Sequence, residues 1–202
     1  MAASTRQRNA RGSGALLRED ILTAATELLD AADCESELTL RRIACAAGIT
    51  APAIYAHFAD RDAILTAIAE RAWQDVVDEI RASAAGGITP RDRLHRGCAT
   101  YVDFAQRFPM RYALMTQMAA VVPAATEALQ VVTQALANCC AGARSADLPR
   151  IAAALSTALH GVAMLNRTDA PSMWLADVST SEVTRTLVDS AVDQQSRAEE
   201  NM

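Results

Sequence analysis

Side chains that bind phosphates and base edges are concentrated in one part of this chain, between Leu38 and Arg61 (LTLRRIACAAGITAPAIYAHFADR). Arginine donates paired hydrogen bonds to phosphate oxygens or to a guanine edge, and hydroxyl and imidazole groups donate single ones. Alanine side chains at an interface with DNA contact only thymine methyl groups. We therefore predict a nucleic-acid contact surface formed by Thr39, Arg41, Thr50, Ala51, Ala53, Tyr55, His57 and Arg61.

Two members of this set have an alternative interpretation. Arg41 is the one side chain placed to read a guanine through two hydrogen bonds, but a solvated or phosphate-bound arginine has the same sequence pattern. Tyr55 is either a phosphate contact or an aromatic residue of the core. The sequence favours the nucleic-acid role for both.

The chain offers no comparable arrangement for catalysis. His57, His95 and His160 lie in unrelated contexts, and there is no nucleophile elbow, no His-Glu-x-x-His pair and no phosphate-binding loop. We therefore predict no catalytic residues, no metal site and no cofactor. A helical scaffold protein is a third class, but a scaffold would not need the arginines of this region.

Local signals indicate that two short helices and a turn position these side chains. Thr39 is a suitable N-cap for the first helix, and Gly48 suits its C-terminal end. Thr50 is placed to cap the second helix, whose buried stripe is predicted to contain Ile54 and Phe58, and Asp60 is placed to cap the helix that follows. Residues 39–58 therefore predict a helix-turn-helix, a motif that places its second helix in the major groove of DNA.

The detailed string resembles the DNA-binding domain of the TetR/AcrR family of repressors. The similarity covers residues 16–68 and includes a first helix with the pattern Ile-Leu-x-Ala-Ala-x-x-Leu-Leu. The matching residues are Thr39, Ile43, Ala44, Ala47, Gly48, Ile49, Thr50, Tyr55, His57, Phe58 and Arg61. This resemblance implies an all-helical dimer with an N-terminal DNA-binding domain and a ligand-sensing domain behind it. It also implies that Tyr55 and Arg61 contact the DNA backbone, and that Arg41 occupies a base-reading position.

Two residues depart from the family pattern. Arg42 stands where the family often has an acidic residue that completes a capping box, and Arg61 stands where the family usually has lysine. Arginine retains the ability to bind a phosphate, with two hydrogen bonds instead of one.

The charge distribution is compatible with DNA binding although the chain carries a net charge of −5. All 19 basic residues are arginines, and four of them precede the first acidic residue, Glu19. Acidic residues are concentrated elsewhere, so the sequence predicts a locally basic surface on an acidic protein.

The cysteines and the apolar segments predict a cytoplasmic protein that does not enter a membrane. The five cysteines are odd in number and lack metal-binding spacing, which favours a reducing compartment. Cys139 and Cys140 are interpreted as ordinary thiols in a helix, and a redox role is the alternative. No signal peptide is predicted, and the apolar stretch at 151–165 is shorter than the about 20 residues that span a bilayer.

Helical patterns recur from Ala15 to about Gln194 and predict an all-α protein of about nine helices. The predicted organisation is a flexible basic arm (1–14), a DNA-binding domain (15–76), an effector-binding and dimerisation domain (77–196) and a disordered tail (197–202). The last helix is predicted to end near Gln194.

The second domain also resembles a C-terminal subtype of the family with a Trp-His-Gly signature, here represented by His160 and Gly161 without the tryptophan. An apolar cavity for a hydrophobic or amphipathic effector is predicted from aromatic and methionine residues, for which core packing is the alternative. The candidates are Tyr101, Phe104, Met110, Tyr112, Met115, Met118, His160, Met164 and Trp174. For His160, hydrogen-bonded helix packing is the favoured interpretation. The residues predicted to form a dimer interface are Ile151, Leu155, Ala158, Leu159 and Val162, together with Gly161.

These observations together predict a ligand-responsive repressor that binds a palindromic operator as a homodimer. Its half-sites would lie about 34 Å apart, one turn of the double helix. The alternative is an architectural or non-sensing DNA-binding protein without a small-molecule effector.

Overall fold

The computed structural model describes residues 13–118, 122–139, 147–165 and 178–200. These ranges form nine α-helices and a short 3-10 turn (Glu35–Glu37) and contain no β-strand, which confirms the predicted all-α class. The helices are α1 (Ser13–Asp30), α2 (Leu40–Ala46), α3 (Ala51–Ile54), α4 (Arg61–Ala85), α5 (Pro90–Arg107), α6 (Pro109–Gln117), α7 (Pro123–Ala137), α8 (Leu148–Leu165) and α9 (Thr180–Glu200).

The chain divides into two compact units, the first ending at Ile68 and the second beginning at Ala69. The first unit contains α1, α2, α3 and the beginning of α4, and the second contains the rest. The sequence prediction placed this boundary eight residues later, between 76 and 77. Because α4 is continuous through both positions, helical periodicity offers no signal at which to divide it.

Several helix ends differ from the sequence prediction. α1 begins at Ser13, inside the predicted arm, and residues 1–12 lie outside the described part of the chain. α7 ends at Ala137, so Cys139 lies in the following turn and not in a helix, while Cys140 is outside the described residues.

The C-terminal helix corrects the prediction of a disordered tail from residue 197. α9 continues to Glu200, because residues 196–200 (SRAEE) include good helix formers. It begins with a capping box, in which the Glu182 amide donates to Ser179 Oγ (3.2 Å) and the Ser179 amide donates to Glu182 Oε2 (2.9 Å).

The core of the second unit is built around α8, which contacts α5, α7 and α9. Its apolar stripe joins one buried cluster from these four helices, formed by Leu94, Cys98, Val102, Leu136, Ile151, Ala152, Leu155, Leu159, Val162, Val188, Ala191 and Val192. This position corrects the prediction that Ile151, Leu155, Leu159 and Val162 form a dimer interface. They are at most 6% exposed within a single chain, because the most apolar stripe of α8 faces the core of its own unit. Ala158 is partly buried.

α8 also corrects the estimate that its apolar segment is too short to cross a membrane. The helix is long and apolar enough by length and composition alone. One such helix is weak evidence for a membrane span, because the core helix of a soluble protein meets the same criterion.

Candidate nucleic-acid interface

The helix-turn-helix is stabilised by a cap at its start and a left-handed glycine at its turn. Thr39 Oγ1 accepts a hydrogen bond from the Arg42 amide (3.3 Å), as predicted for an N-cap. α2 ends in a Schellman motif, in which the Ile49 amide donates to the Ala44 carbonyl (2.9 Å) and the Gly48 amide donates to the Cys45 carbonyl (3.2 Å). Gly48 has a φ of 65°, which an L-residue with a side chain adopts only with strain.

We expect Gly48→Ala to lower the free energy of unfolding of the first unit by about 1–2 kcal/mol, because the added Cβ disfavours the left-handed conformation. Urea denaturation followed by circular dichroism measures this effect. Gly14→Ala in α1 is the control and should be neutral or slightly stabilising. An equal effect of the two substitutions would contradict a special requirement at position 48.

α3 is shorter than the sequence predicted. Its α-helical part ends at Ile54, and the chain continues as a hydrogen-bonded turn in which the His57 and Phe58 amides donate to the Ile54 carbonyl (2.8 and 2.9 Å). Pro52 lies in the first turn, but the Thr50 side chain makes no capping hydrogen bond. Ile54 and Phe58 are buried, so the turn still has the predicted inward face.

None of the eight predicted contact residues is fully buried in the first unit. Thr39, Arg41, Thr50 and Tyr55 are exposed, and the remaining four, Ala51, Ala53, His57 and Arg61, are half-buried. The Tyr55 side chain is 60% exposed, which excludes the alternative that it is a core aromatic. The exposed hydroxyl groups and guanidinium of this surface can donate hydrogen bonds to phosphates and to base edges.

Adjacent arginines in α2 have different environments. Arg42 Nη1 donates to the Glu37 carbonyl (3.1 Å) and to Glu37 Oε2 (2.9 Å), which ties α2 to the preceding 3-10 turn. The hydrogen bond from Arg42, followed by one from the Asp33 amide, holds the pKa of Glu37 below its usual value. Arg41 has no ion-pair or hydrogen-bond partner for its guanidinium anywhere in the described part of the chain. Arg42 therefore stabilises the fold, and Arg41 is available to a ligand.

Arg61 is engaged inside the first unit, which the sequence did not indicate. Its Nε donates to the Leu38 carbonyl (2.7 Å), and its Nη2 donates to the Glu35 carbonyl (2.6 Å) and to Glu35 Oε1 (2.9 Å). These hydrogen bonds join the start of α4 to the segment before α2. Only Nη1 is not used in this way, and it lies 3.9 Å from Asp62 Oδ1. The first role of Arg61 is thus to fix the helix-turn-helix, and little of its donor capacity is left for a phosphate.

The beginning of α4 is capped by an acidic residue, as predicted. Asp60 Oδ1 accepts a hydrogen bond from the Ala63 amide (2.8 Å). On the inner side, the Arg18 guanidinium lies over the Phe58 ring, 4.7 Å from its centroid. Arg6, Arg8 and Arg11, which contribute to the predicted basic surface, lie outside the described residues.

The second unit contains an apolar cavity of about 390 Å³, a volume typical of small-molecule sites. Its wall is formed by Trp73, Val76, Ile80, Arg81, Ala84, Arg93, Leu94, Gly97, Cys98, Tyr101, Ala125, Ala128, Leu129, Val131, Val132, Ala135, Ala153, Ser156, Thr157 and Leu159. Burial raises the pKa of the Cys98 thiol to about 12, so this thiol is neutral in the wall.

Among the predicted pocket residues that the structure describes, only Tyr101 lines this cavity. Phe104, Tyr112 and Met115 are fully buried core residues, and Met164 is exposed. Met110, Met118 and His160 are partly buried but do not line the cavity, and Trp174 lies outside the described residues. The pattern of apolar residues identifies the buried side of a helix, but it does not distinguish a packed core from a cavity wall. Trp73, which sequence reasoning missed, lines the cavity and donates from Nε1 to the Met115 carbonyl (2.9 Å).

A chain of hydrogen bonds links Tyr101 in the cavity wall to His160 on α8. The hydroxyl groups of Tyr101 and Tyr112 are 2.9 Å apart, and the Tyr112 hydroxyl is 2.7 Å from His160 Nδ1. The Tyr112 and His160 rings also stack, with centroids 5.8 Å apart. This arrangement agrees with the interpretation of His160 as a helix-packing residue, and it joins α5, α6 and α8.

Comparison with protein families gives two matches. Residues 21–68 match the model described as bacterial regulatory proteins of the tetR family, and residues 94–191 match the tetracyclin repressor-like C-terminal domain. No curated protein matches the sequence significantly.

The fold is similar to that of several solved structures. A protein of unknown function from Rhodococcus sp. RHA1 is 24% identical, with 96% of this chain and 99% of that chain covered and a TM-score of 0.75. A tetR-family transcriptional regulator from Streptomyces coelicolor is 19% identical, with coverage of 93% and 84% and a TM-score of 0.69. BioQ with its double-stranded DNA operator is 21% identical, with coverage of 87% and 98% and a TM-score of 0.63.

Proposed function

This chain belongs to the TetR family and is a DNA-binding transcriptional regulator, and from this we propose that it binds a palindromic operator as a homodimer and releases it when a small molecule enters the cavity of the second unit. The observation that carries the DNA-binding part is the exposed surface of the helix-turn-helix, where Thr39, Arg41, Thr50 and Tyr55 face solvent. Family membership indicates a non-enzymatic role in the cytoplasm.

The experiment that tests this proposal is binding of the purified protein to DNA from upstream of its own gene, with scrambled DNA as the control, across a series of salt concentrations. We expect tight binding that depends on sequence and weakens as salt rises, since phosphate contacts release counterions. Weak binding that is indifferent to sequence and lost in modest salt would contradict the regulator proposal.

The cavity of about 390 Å³ favours a ligand-responsive regulator over an architectural DNA-binding protein, because an architectural protein has no use for such a space. Tyr101 lines the cavity and is connected through Tyr112 to His160 on α8, which offers a physical route from ligand to helix position. A ligand acts through this route only if it binds one arrangement of the helices more tightly than the other. Small molecules that release the operator would support sensing over the architectural alternative.

We assign the dimer contact to the outer face of α8 and not to its buried stripe. Ala154, Gly161 and Met164 are exposed on this face, and their small or flexible side chains permit close approach of a second helix. An added Cβ at Gly161 meets nothing within 4 Å, so a larger side chain fits there in a single chain.

Gly161→Arg is therefore expected to weaken dimerisation by about 100-fold or more without unfolding the protein, because symmetry places two unpaired charges in one buried contact. Analytical ultracentrifugation measures the change. Gln106→Arg on the exposed side of α5 adds the same charge and should leave the dimer intact. Equal dimer affinity of the two variants would contradict the assignment to this face of α8.

A further inference from the structure

The charged groups in the cavity wall are all basic. Two arginines, Arg81 and Arg93, contribute to the wall, and none of its residues is acidic. Arg81 is neutralised, since its Nη2 lies 2.6 Å from Glu127 Oε1 and its Nη1 lies 3.5 Å from Asp78 Oδ1. Arg93 makes one hydrogen bond, from Nε to the Gly87 carbonyl (3.0 Å), and its two terminal nitrogens have no partner among the described residues.

The turn between α4 and α5 fixes the position of this free guanidinium. Gly87 packs so closely on α5 that an added Cβ would lie 2.8 Å from the Arg93 backbone nitrogen. Only glycine permits this approach, which brings the Gly87 carbonyl within reach of Arg93 Nε. The guanidinium is therefore oriented by the backbone and is not a freely rotating surface cation.

Arg93 stands where the apolar cavity meets a more polar groove. The groove is lined by Thr126, Glu127, Gln130, Gln134 and Asn138 and shares Arg81, Ala84, Arg93, Val131 and Ala135 with the cavity. A molecule with an apolar body inside the cavity thus has its outer end beside Arg93. The Ser156 hydroxyl in the wall also makes no hydrogen bond within the described part of the chain.

We propose that the cavity binds an amphipathic organic anion, whose apolar body occupies the cavity and whose carboxylate or similar headgroup pairs with Arg93. This inference rests on the proposed role of the cavity as the effector site. The guanidinium matches a carboxylate through two parallel hydrogen bonds, which an alcohol or an amine does not form. The attraction is local, because the whole chain carries a net charge of −5 and repels anions at long range.

The test compares decanoate, decanol and decylamine, which share one apolar body and differ in the headgroup. Binding to the protein without DNA is measured by isothermal titration calorimetry, which requires no substitution of Trp73 or Trp174. We expect decanoate to bind about tenfold more tightly than decanol, and decylamine to bind most weakly. The expected difference in affinity between decanoate and decanol is modest because Arg93 is exposed to solvent.

Substitution of Arg93 tests whether the preference for decanoate over decanol comes from this residue. Arg93→Gln should equalise the affinities of decanoate and decanol and leave that of decanol unchanged, and Arg93→Lys should restore part of the preference. Arg96→Gln is the matched control, since it removes the same charge from α5 at a residue that does not line the cavity and pairs with Asp92. This control should retain the preference.

Three results would overturn the proposal: decanol or decylamine binding as tightly as decanoate, an unchanged preference in Arg93→Gln, or no binding of any of the three compounds. Operator binding is measured separately, so these results differ from a failure of the proposed function. A protein that binds its operator specifically but ignores decanoate would remain a regulator with an effector of another class.

Discussion

Arg41→Ala is expected to weaken operator binding by about 1–3 kcal/mol per half-site, roughly 5- to 150-fold, and to relax the base preference at one position. The reason is that the Arg41 guanidinium is exposed and has no partner among the described residues, so both of its donor pairs remain available for a guanine edge. The measurement is competition binding with operators that carry each of the four bases at every position of a half-site.

Arg42→Ala is the matched control, since it removes the same charge one residue further along α2. Arg42 is bonded to Glu37, but this pair is largely exposed, so its loss should lower the free energy of unfolding only slightly and should leave base preference unaltered. Uniform weakening of all operators by Arg41→Ala would show that Arg41 binds phosphate, the alternative that the sequence leaves open.

Phe58→Ala is expected to lower the free energy of unfolding by about 3–5 kcal/mol and to abolish operator binding. The side chain is 4% exposed, and truncation removes its packing with the inner face of the helix-turn-helix and the contact with Arg18. For the small first unit, a loss of this size is a large part of the total stability. Urea denaturation followed by circular dichroism measures the change.

Tyr55→Ala, three residues away, is the matched control for Phe58→Ala. Because Tyr55 is 60% exposed, its truncation should change the free energy of unfolding by less than about 0.5 kcal/mol. It should nevertheless weaken binding to all DNA sequences, without a change in salt dependence, since a hydroxyl contact to phosphate carries no charge. Equal destabilisation by the two substitutions would contradict the surface role of Tyr55.

The arrangement of Arg61 changes how its substitution should be interpreted. Its hydrogen bonds to Leu38 and Glu35 mean that a variant of Arg61 first loosens the segment before α2. A loss of DNA binding in such a variant would therefore not by itself identify a phosphate contact. Arg41 and Tyr55 are better probes of the interface because neither supports the fold.

The helical class, the family and the local framework of the DNA-binding unit were all predictable from the amino-acid sequence. The cap at Thr39, the left-handed turn at Gly48 and the cap at Asp60 were all predicted, because each depends on hydrogen bonds between residues no more than five positions apart. The buried positions of Ile54 and Phe58 follow in the same way from helical spacing.

The side chains that are free to bind a ligand could be identified only from the folded chain. Arg61 is engaged with residues 23 and 26 positions away, whereas the terminal nitrogens of Arg93 have no partner among the described residues and lie beside a cavity built from four helices. Likewise, the apolar stripe of α8, predicted as a dimer interface, is buried against α5 and α9 of its own chain. The helical spacing of apolar residues indicates that one face of a helix is apolar, but it does not indicate which partner covers that face. That choice depends on contacts between distant segments, which exist only once the chain has folded.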